Sequence, residues 1–132
     1  MQNVNNKKQI NNAKLISSFK NIRKYELSNG ATLLIEKNTN NNVVAGKIFI
    51  KGGSLIENKA GTADILVGTI KKGTENKTGK EIQDALDNIG SAITFSDANE
   101  YFEVSMKTTK NDFNEAFNLL KEIIETPVFA QK

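Results

Sequence analysis

The sequence lacks histidine and cysteine entirely in its 132 residues. Catalytic zinc is usually held by imidazole nitrogen or thiolate sulfur, so this absence excludes a typical catalytic zinc site built within the chain. It also excludes nucleophilic catalysis of the serine-protease kind, because hydroxyls such as that of Ser54 have no imidazole to activate them. The lack of cysteine leaves the redox compartment undecided, and the core must form without disulfides.

Long apolar runs are also missing. No stretch approaches the roughly 20 residues that a membrane-spanning helix needs. The chain does not open with a charged segment followed by an apolar one, as a signal peptide would. We therefore expect no membrane partner and a cytoplasmic location, and export stays open because a signal could precede a chain that is a fragment.

Acidic residues are absent from the beginning of the chain. The basic residues of this segment are Lys7, Lys8, Lys14, Lys20, Arg23 and Lys24, among many asparagines. We predict that residues 1–22 form a basic, Asn-rich tail or interdomain linker. A nucleic-acid-binding arm is the alternative, but the charges are spread out, and we expect no nucleic-acid partner.

Strands are predicted where apolar and polar residues alternate. Asn29-Gly30 lies between two such runs and predicts a tight hairpin, because both residues accept the positive φ of a primed turn. A third, more central strand is predicted from Val44 to Ile50. Two further strands are predicted on either side of a turn at residues 97–99.

Three segments have the spacing of helices that face a core on one side. The second begins with a capping box at Thr78 and Glu81, and the third has a similar start at Thr109 and Asp112 and ends before Pro127. The predicted core-facing residues are Ala63, Leu66, Val67 and Ile70 in the first helix, Ile82, Ala85, Leu86 and Ile89 in the second, and Phe113, Ala116, Phe117, Leu120 and Ile124 in the third. The order βββααββα predicts an α+β fold with helices packed on one face of a mostly antiparallel sheet.

Two other patterns are weak indicators of a site. Asp97, Glu100 and Glu103 offer carboxylates, but no glycine-centred calcium loop surrounds them, so they are predicted to be turn and strand acids. Residues 71–74, Lys-Lys-Gly-Thr, have the letters that end a phosphate-binding loop. They follow a helix C-terminus, where the dipole repels anions, so no phosphate site is predicted.

Three stretches in order carry a resemblance to a known family: LSNGATLLIEKN, GGSLIENKAGTADILVGTIKKGT and KTGKEIQDALDNIGSAITFSDANEYFEVSMKTTKNDFNEAFNLLKEIIETPVF. From about Lys24 to Phe129 the sequence resembles the insulinase, pitrilysin and mitochondrial processing peptidase family of zinc metallopeptidases. The resemblance implies a metallopeptidase roll of the processing peptidase type. Residues 23–132 would be a partial, truncated insulinase-like domain.

Active members of that family carry His-x-x-Glu-His on the first helix, where two histidines one turn apart bind zinc and the glutamate activates water. The resemblance places Asp64 and Gly68 at the histidine positions and Val67 at the glutamate position. We therefore predict no catalytic and no metal-binding residue in this segment. Zinc is expected instead in a catalytic half or a partner subunit.

The resemblance therefore implies a non-catalytic half, which forms a chamber wall and contacts peptide in a zinc metalloendopeptidase that degrades or processes peptides. Its partners would be peptide substrates and a catalytic half, on the same chain or on a separate subunit, or further copies of itself. Peptide contact is predicted by strand addition at Ser91, Ala92, Ile93 and Thr94, with an ordinary paired strand as the alternative. The alternative function is a scaffold or assembly subunit without peptidase work.

Overall fold

The structure, a computed structural model, describes residues 12–129, and the chain divides into two compact units, Met1–Asn41 and Asn42–Lys132. The strands are β1 (Ala13–Phe19), β2 (Ile22–Leu27), β3 (Thr32–Glu36), β4 (Val43–Lys51), β5 (Ala92–Asp97) and β6 (Tyr101–Thr109). The helices are α1 (Thr62–Thr69), α2 (Gly79–Asn88) and α3 (Phe113–Glu125), with short 3-10 helices at Ser54–Ile56 and Ile70–Lys72. The α+β class is confirmed, with one more strand than the sequence predicted.

The first unit is an antiparallel sheet in the order β1-β2-β3. The predicted hairpin joins β2 to β3, but its loop has three residues, closed by the Leu27 N–H donating to the Ala31 carbonyl at 2.8 Å. Of Asn29 and Gly30, Gly30 alone has positive φ, at 86°. The turn is therefore the three-residue kind with a left-handed last residue rather than a primed two-residue turn.

Strand β1 lies in the segment that the sequence predicted to be a tail or linker. It pairs with β2 through a register shift between Leu15 and Ser17, which leaves Ile16 as an extra residue. Such a bulge interrupts the two-residue alternation on which strand prediction rests. The part of the predicted tail before residue 12, including Lys7 and Lys8, lies outside the described residues.

The second unit has an antiparallel sheet in the order β4-β6-β5. Helices α2 and α3 pack on one face of this sheet, as predicted. The buried core consists of Ile82 and Leu86 from α2, Ile93 from β5, Val104 and Met106 from β6, and Ala116, Leu119, Leu120 and Ile123 from α3. The other sheet face carries Lys47, Thr94 and Ser105, because alternate residues of a strand face opposite sides.

The two long helices differ in how well their patterns predicted them. In α2 the capping box is confirmed, since the Thr78 hydroxyl accepts from the Glu81 N–H and the Glu81 carboxylate accepts from the Thr78 N–H. In α3 the Thr109 hydroxyl does accept from the Asp112 N–H at 3.3 Å, but the predicted box is incomplete, because the helix begins after Asp112, which is the N-cap and makes no side-chain cap bond. The predicted α3 core face is confirmed for Ala116 and Leu120, which are buried, but it is wrong for Phe117, which is 45% exposed, and it omitted Ile123, which is 0% exposed.

The described helices are short. Among residues 12–129, none has the length and apolar character needed to cross a membrane.

Candidate functional site: helix α1 and the edge of strand β5

Helix α1 is held at its start by a glutamate from the preceding loop. The Glu57 carboxylate accepts hydrogen bonds from the backbone N–H of Gly61 at 2.9 Å and of Ala63 at 3.0 Å. These bonds, that from Ala63 first, lower the pKa of Glu57, because they stabilise its ionised form. Since the N-cap, Gly61, has no side chain of its own, Glu57 supplies the capping group.

The three residues that the resemblance assigns to the zinc motif all lie on α1. Asp64 and Gly68 are exposed and Val67 is half-buried. A Cβ added at Gly68 would meet nothing within 4 Å, so packing does not require glycine at this position. What the helix lacks is ligand chemistry, because Asp64 offers one carboxylate and the other two side chains offer no donor atom.

The rest of the described chain adds no further metal-ligating side chains that would form a site with the Asp64 carboxylate. Residues 12–129 contain no group of three or more acidic side chains arranged to hold a metal ion. Asp97 ends β5 and Glu100 lies in the turn that follows, while Glu103 pairs with Lys47 at 2.7 Å across the sheet. The donor set in this part of the molecule therefore does not fit a catalytic zinc.

The inner side of α1 follows its predicted stripe, and the exposed Ile65 lies outside that stripe. Ala63 is buried, and Ile70, just beyond the helix, packs against the core of the second unit. Leu66 and Val67 are half-buried, whereas Ile65 is 67% exposed. Helix α1 is thus anchored along one side, and its motif positions Asp64 and Gly68 are accessible.

Strand β5 lies at the edge of its sheet in the described structure, paired on one side with β6. Of the four predicted peptide-binding residues, Ser91 directly precedes β5, and Ala92, Ile93 and Thr94 are its first three residues. Ser91 and Ile93 are 8% and 2% exposed, and the Ser91 hydroxyl hydrogen-bonds the Thr108 hydroxyl at 2.7 Å. The Ala92 and Thr94 side chains are exposed on the open sheet face.

The backbone of β5 alternates as well. Just beyond the end of β5, the Ala98 N–H donates to the Tyr101 carbonyl at 2.8 Å, so Ala98 and Tyr101 form a hydrogen-bonded pair. In an antiparallel ladder every second residue pair is hydrogen-bonded in this way. Alternation then makes Thr94 and Ser96 bond to β6, while Ile93 and Phe95 direct their N–H and C=O groups to the outer edge. The strand therefore offers a backbone edge in the segment where the sequence predicted peptide contact.

One of these outward carbonyls already has a donor. The Lys71 ammonium, in the 3-10 helix that follows α1, donates to the Ile93 carbonyl at 2.8 Å. Sequence reasoning had considered Lys71 only as part of a rejected phosphate loop. A lysine at a helix end beside a predicted edge strand is a weak signal of this role, because no sequence pattern indicates which carbonyl it reaches.

The open face of the same sheet has a shallow depression of about 420 Å³ next to β5. Its floor is made of small side chains, including Ala45, Ala92 and Ser105, and lysines Lys47 and Lys107 border it. The Lys47 ammonium, followed by the Ser105 hydroxyl, lowers the pKa of Glu103 by hydrogen bonding. This surface adjoins the β5 edge and is accessible.

The fold is shared with solved structures. A protease from Helicobacter pylori matches with a TM-score of 0.72 at 20% identity, covering 83% of this chain and 27% of that one. The inactive domain of a peptidase M16 from Pseudomonas fluorescens matches with a TM-score of 0.77 at 15% identity, covering 84% and 28%. At these identities the likeness concerns the fold alone.

Sequence comparison gives closer relatives. The beta subunit of the mitochondrial-processing peptidase of Saccharomyces cerevisiae is 30% identical over 114 residues, which are 85% of this chain and 25% of that protein. An uncharacterized zinc protease of Rickettsia bellii is 28% identical over 109 residues, 81% of this chain and 26% of that protein. The chain thus spans about a quarter of the length of these curated relatives.

A family-wide comparison agrees with the resemblance found in the sequence. The sequence model described as "Insulinase (Peptidase family M16)" matches residues 32–132, which is most of the chain. The α1 and β5 segments both lie within that match. Because this match covers most of the chain, the chain belongs to the insulinase family, peptidase family M16.

Proposed function

We propose that this chain is a non-catalytic, chamber-forming and peptide-contacting part of a zinc metalloendopeptidase. The observation that carries the proposal is on α1, a helix within the family match, where the resemblance assigns Asp64, Val67 and Gly68 to the zinc-motif positions. This set supplies neither a second ligand nor a base for water. The metal chemistry then belongs to a catalytic half, on the same polypeptide or on a partner subunit.

Two relatives support this separation of a non-catalytic part from a catalytic one. The Saccharomyces cerevisiae relative is by name one subunit of a peptidase, and the Pseudomonas fluorescens structure is of an inactive domain. This chain would stand in the same relation to a catalytic partner. Its contribution would be to enclose the substrate and to hold it extended beside the reacting centre.

Peptide contact in this proposal is made by strand addition on β5. An extended peptide would pair with the outward backbone groups of Ile93 and Phe95. Ala92 and Thr94 would contact peptide side chains on the open sheet face, while Ile93, being buried, would contribute only backbone. Ser91 is buried and its N–H donates to the Leu86 carbonyl at 2.9 Å, so it would support the strand rather than contact the peptide.

Amide hydrogen exchange on the full 132-residue chain tests this contact. Saturating amounts of short, extended peptides should slow exchange of the Phe95 N–H, which points to the open edge. The Thr94 and Ser96 N–H groups, which face β6, serve as internal controls and should change little. If peptides bind and leave Phe95 exchange unchanged, contact at β5 is refuted.

The non-catalytic part of the proposal needs a separate measurement. Zinc content and peptide hydrolysis are measured on the purified chain, with and without a chelator. We expect no stoichiometric zinc and no cleavage. Cleavage by the chain alone that a chelator abolishes would overturn the assignment.

One observation favours a second candidate, a scaffold subunit that does not contact substrate. Lys71 already occupies the Ile93 carbonyl, and a lysine on an edge is a common way to prevent strand pairing. The same exchange experiment separates the two functions. A scaffold leaves exchange of the outward Phe95 N–H unchanged by every peptide tested, while a peptide-contacting chain shows slower exchange there.

A further inference from the structure

Lys71 carries a positive charge that has no anionic partner among residues 12–129. The three lysines that form ion pairs there do so with carboxylates at 2.6 to 2.8 Å: Lys47, Lys77 and Lys80. Lys71 is half-buried, and its hydrogen bond goes to a neutral backbone carbonyl instead. A partly desolvated ammonium is stabilised much better by a carboxylate than by a carbonyl.

The same ammonium lies where an incoming peptide must bond. A strand that adds to β5 donates a backbone N–H to the Ile93 carbonyl, whose outward direction Lys71 now occupies at 2.8 Å. Pairing therefore displaces Lys71 and leaves its charge beside the peptide without its former acceptor. A half-buried cation in that position needs a replacement partner, and an acidic side chain of the peptide can supply it.

We propose that Lys71 is a specificity-determining residue, which makes the β5 edge prefer extended peptides with an acidic side chain near the residue that pairs with Ile93. The inference rests on the proposed peptide contact at β5. Without an acidic group, the peptide must displace Lys71 uncompensated and binds more weakly. With one, the hydrogen bond to the carbonyl is exchanged for an ion pair.

Matched peptides test the preference. Fluorescently labelled peptides that differ only by Glu or Gln, with the changed position moved along the sequence, are titrated with the full chain by fluorescence anisotropy. We expect the best Glu peptide to bind about threefold to tenfold more tightly than its Gln twin, the range of a partly exposed charge-assisted bond. The ratio should fall as salt is raised.

Three variants assign the effect to Lys71. Lys71→Met keeps the aliphatic chain and loses the ammonium, so the Glu-to-Gln ratio should fall to about one. Lys71→Arg keeps the charge and should keep the preference. Lys72→Met removes the neighbouring exposed lysine and is the control for general charge attraction, so the ratio should survive.

The outcomes separate this inference from the function on which it rests. Equal binding of Glu and Gln peptides to the unaltered chain, or a preference that persists in Lys71→Met, overturns the role of Lys71 and leaves peptide contact intact. No binding of any peptide to any folded variant refutes the peptide contact, and the role of Lys71 with it. Circular dichroism of each variant establishes that it is folded.

Discussion

The Glu57 carboxylate lies 3.0 Å from the backbone nitrogen of Ala63 and closes the start of α1. The second oxygen takes the N–H of Gly61 at 2.9 Å. The first N–H groups of a helix have no partner within it, so a carboxylate at this place satisfies them and complements the positive end of the helix dipole. One side chain thus holds the segment that carries the motif positions.

Replacing Glu57 should loosen the start of α1 without unfolding the second unit. In Glu57→Gln the charge is lost, and the amide has one acceptor oxygen for two N–H groups. We expect amide exchange at Gly61 and Ala63 to accelerate several-fold, while exchange in β6 stays unchanged. Glu75→Gln, an exposed change in the same unit, is the control, and equal acceleration in both variants would contradict a capping role.

A second carboxylate joins α3 to the turn before α2. Glu122 accepts from the Thr74 hydroxyl at 2.6 Å and from the Lys77 ammonium at 2.8 Å. Thr74 is buried, so Glu122→Ala leaves a buried hydroxyl with a lost partner, and we expect a cost of about 1–3 kcal/mol in the free energy of unfolding. Denaturant unfolding measures it. Asp84→Ala, which breaks the exposed pair with Lys80, should leave that free energy nearly unchanged.

Glu122 should also make stability depend on pH. The Lys77 ammonium, followed by the Thr74 hydroxyl, lowers the pKa of Glu122 in the folded chain. A lowered folded pKa means that ionised Glu122 stabilises the fold above its unfolded pKa, and that this contribution is lost as pH falls through the folded pKa. The free energy of unfolding should therefore fall below about pH 5, near the ordinary glutamate range.

Glu122→Gln should make that acid-induced fall shallower, because the variant has no carboxylate to protonate here. Denaturant titrations at several pH values compare it with Glu125→Gln, a change on the exposed side of the same helix. Parallel pH curves for Glu122→Gln and the unaltered chain would show that this carboxylate does not carry the dependence.

The sequence predicted the second unit better than the first for physical reasons. Helix α2 begins at a capping box, and its core face and terminating Gly90 lie close together in sequence, so local rules suffice. Strand β1 depends on a bulge and on pairing with β2, which no local pattern contains. For α3, the apolar residues surround so much of the helix that the pattern allowed two faces, and packing against β6 selected one.

The residues of the candidate site also differ in how far they could be predicted from the sequence. The resemblance to the family was enough to place Asp64, Val67 and Gly68, because one helix carries them all. The contact between Lys71 and the Ile93 carbonyl joins residues that are far apart in the chain. It depends on where α1 ends relative to the sheet edge, which is a tertiary property.

The choice of face in α3 gives a direct stability comparison. Ile123 is fully buried, so Ile123→Ala should cost about 2–5 kcal/mol through lost burial and a residual cavity. Phe117 is 45% exposed and stacks on Phe113, so Phe117→Ala should cost less. Urea unfolding of both variants gives the difference. A larger loss for Phe117→Ala would restore the core face predicted from the sequence.

Two glycines should respond in opposite directions to alanine. Gly53 has φ of 84°, and a Cβ there would lie 2.0 Å from the Ala98 carbonyl oxygen. Gly53→Ala should therefore cost more than the roughly 1–3 kcal/mol of backbone strain alone, because the β5–β6 turn must also move. Gly68 lies within α1 with open space around it, so Gly68→Ala should stabilise the fold by about 0.5–1 kcal/mol. Thermal and urea unfolding measure both variants, and a destabilising Gly68→Ala would contradict the open space around this glycine.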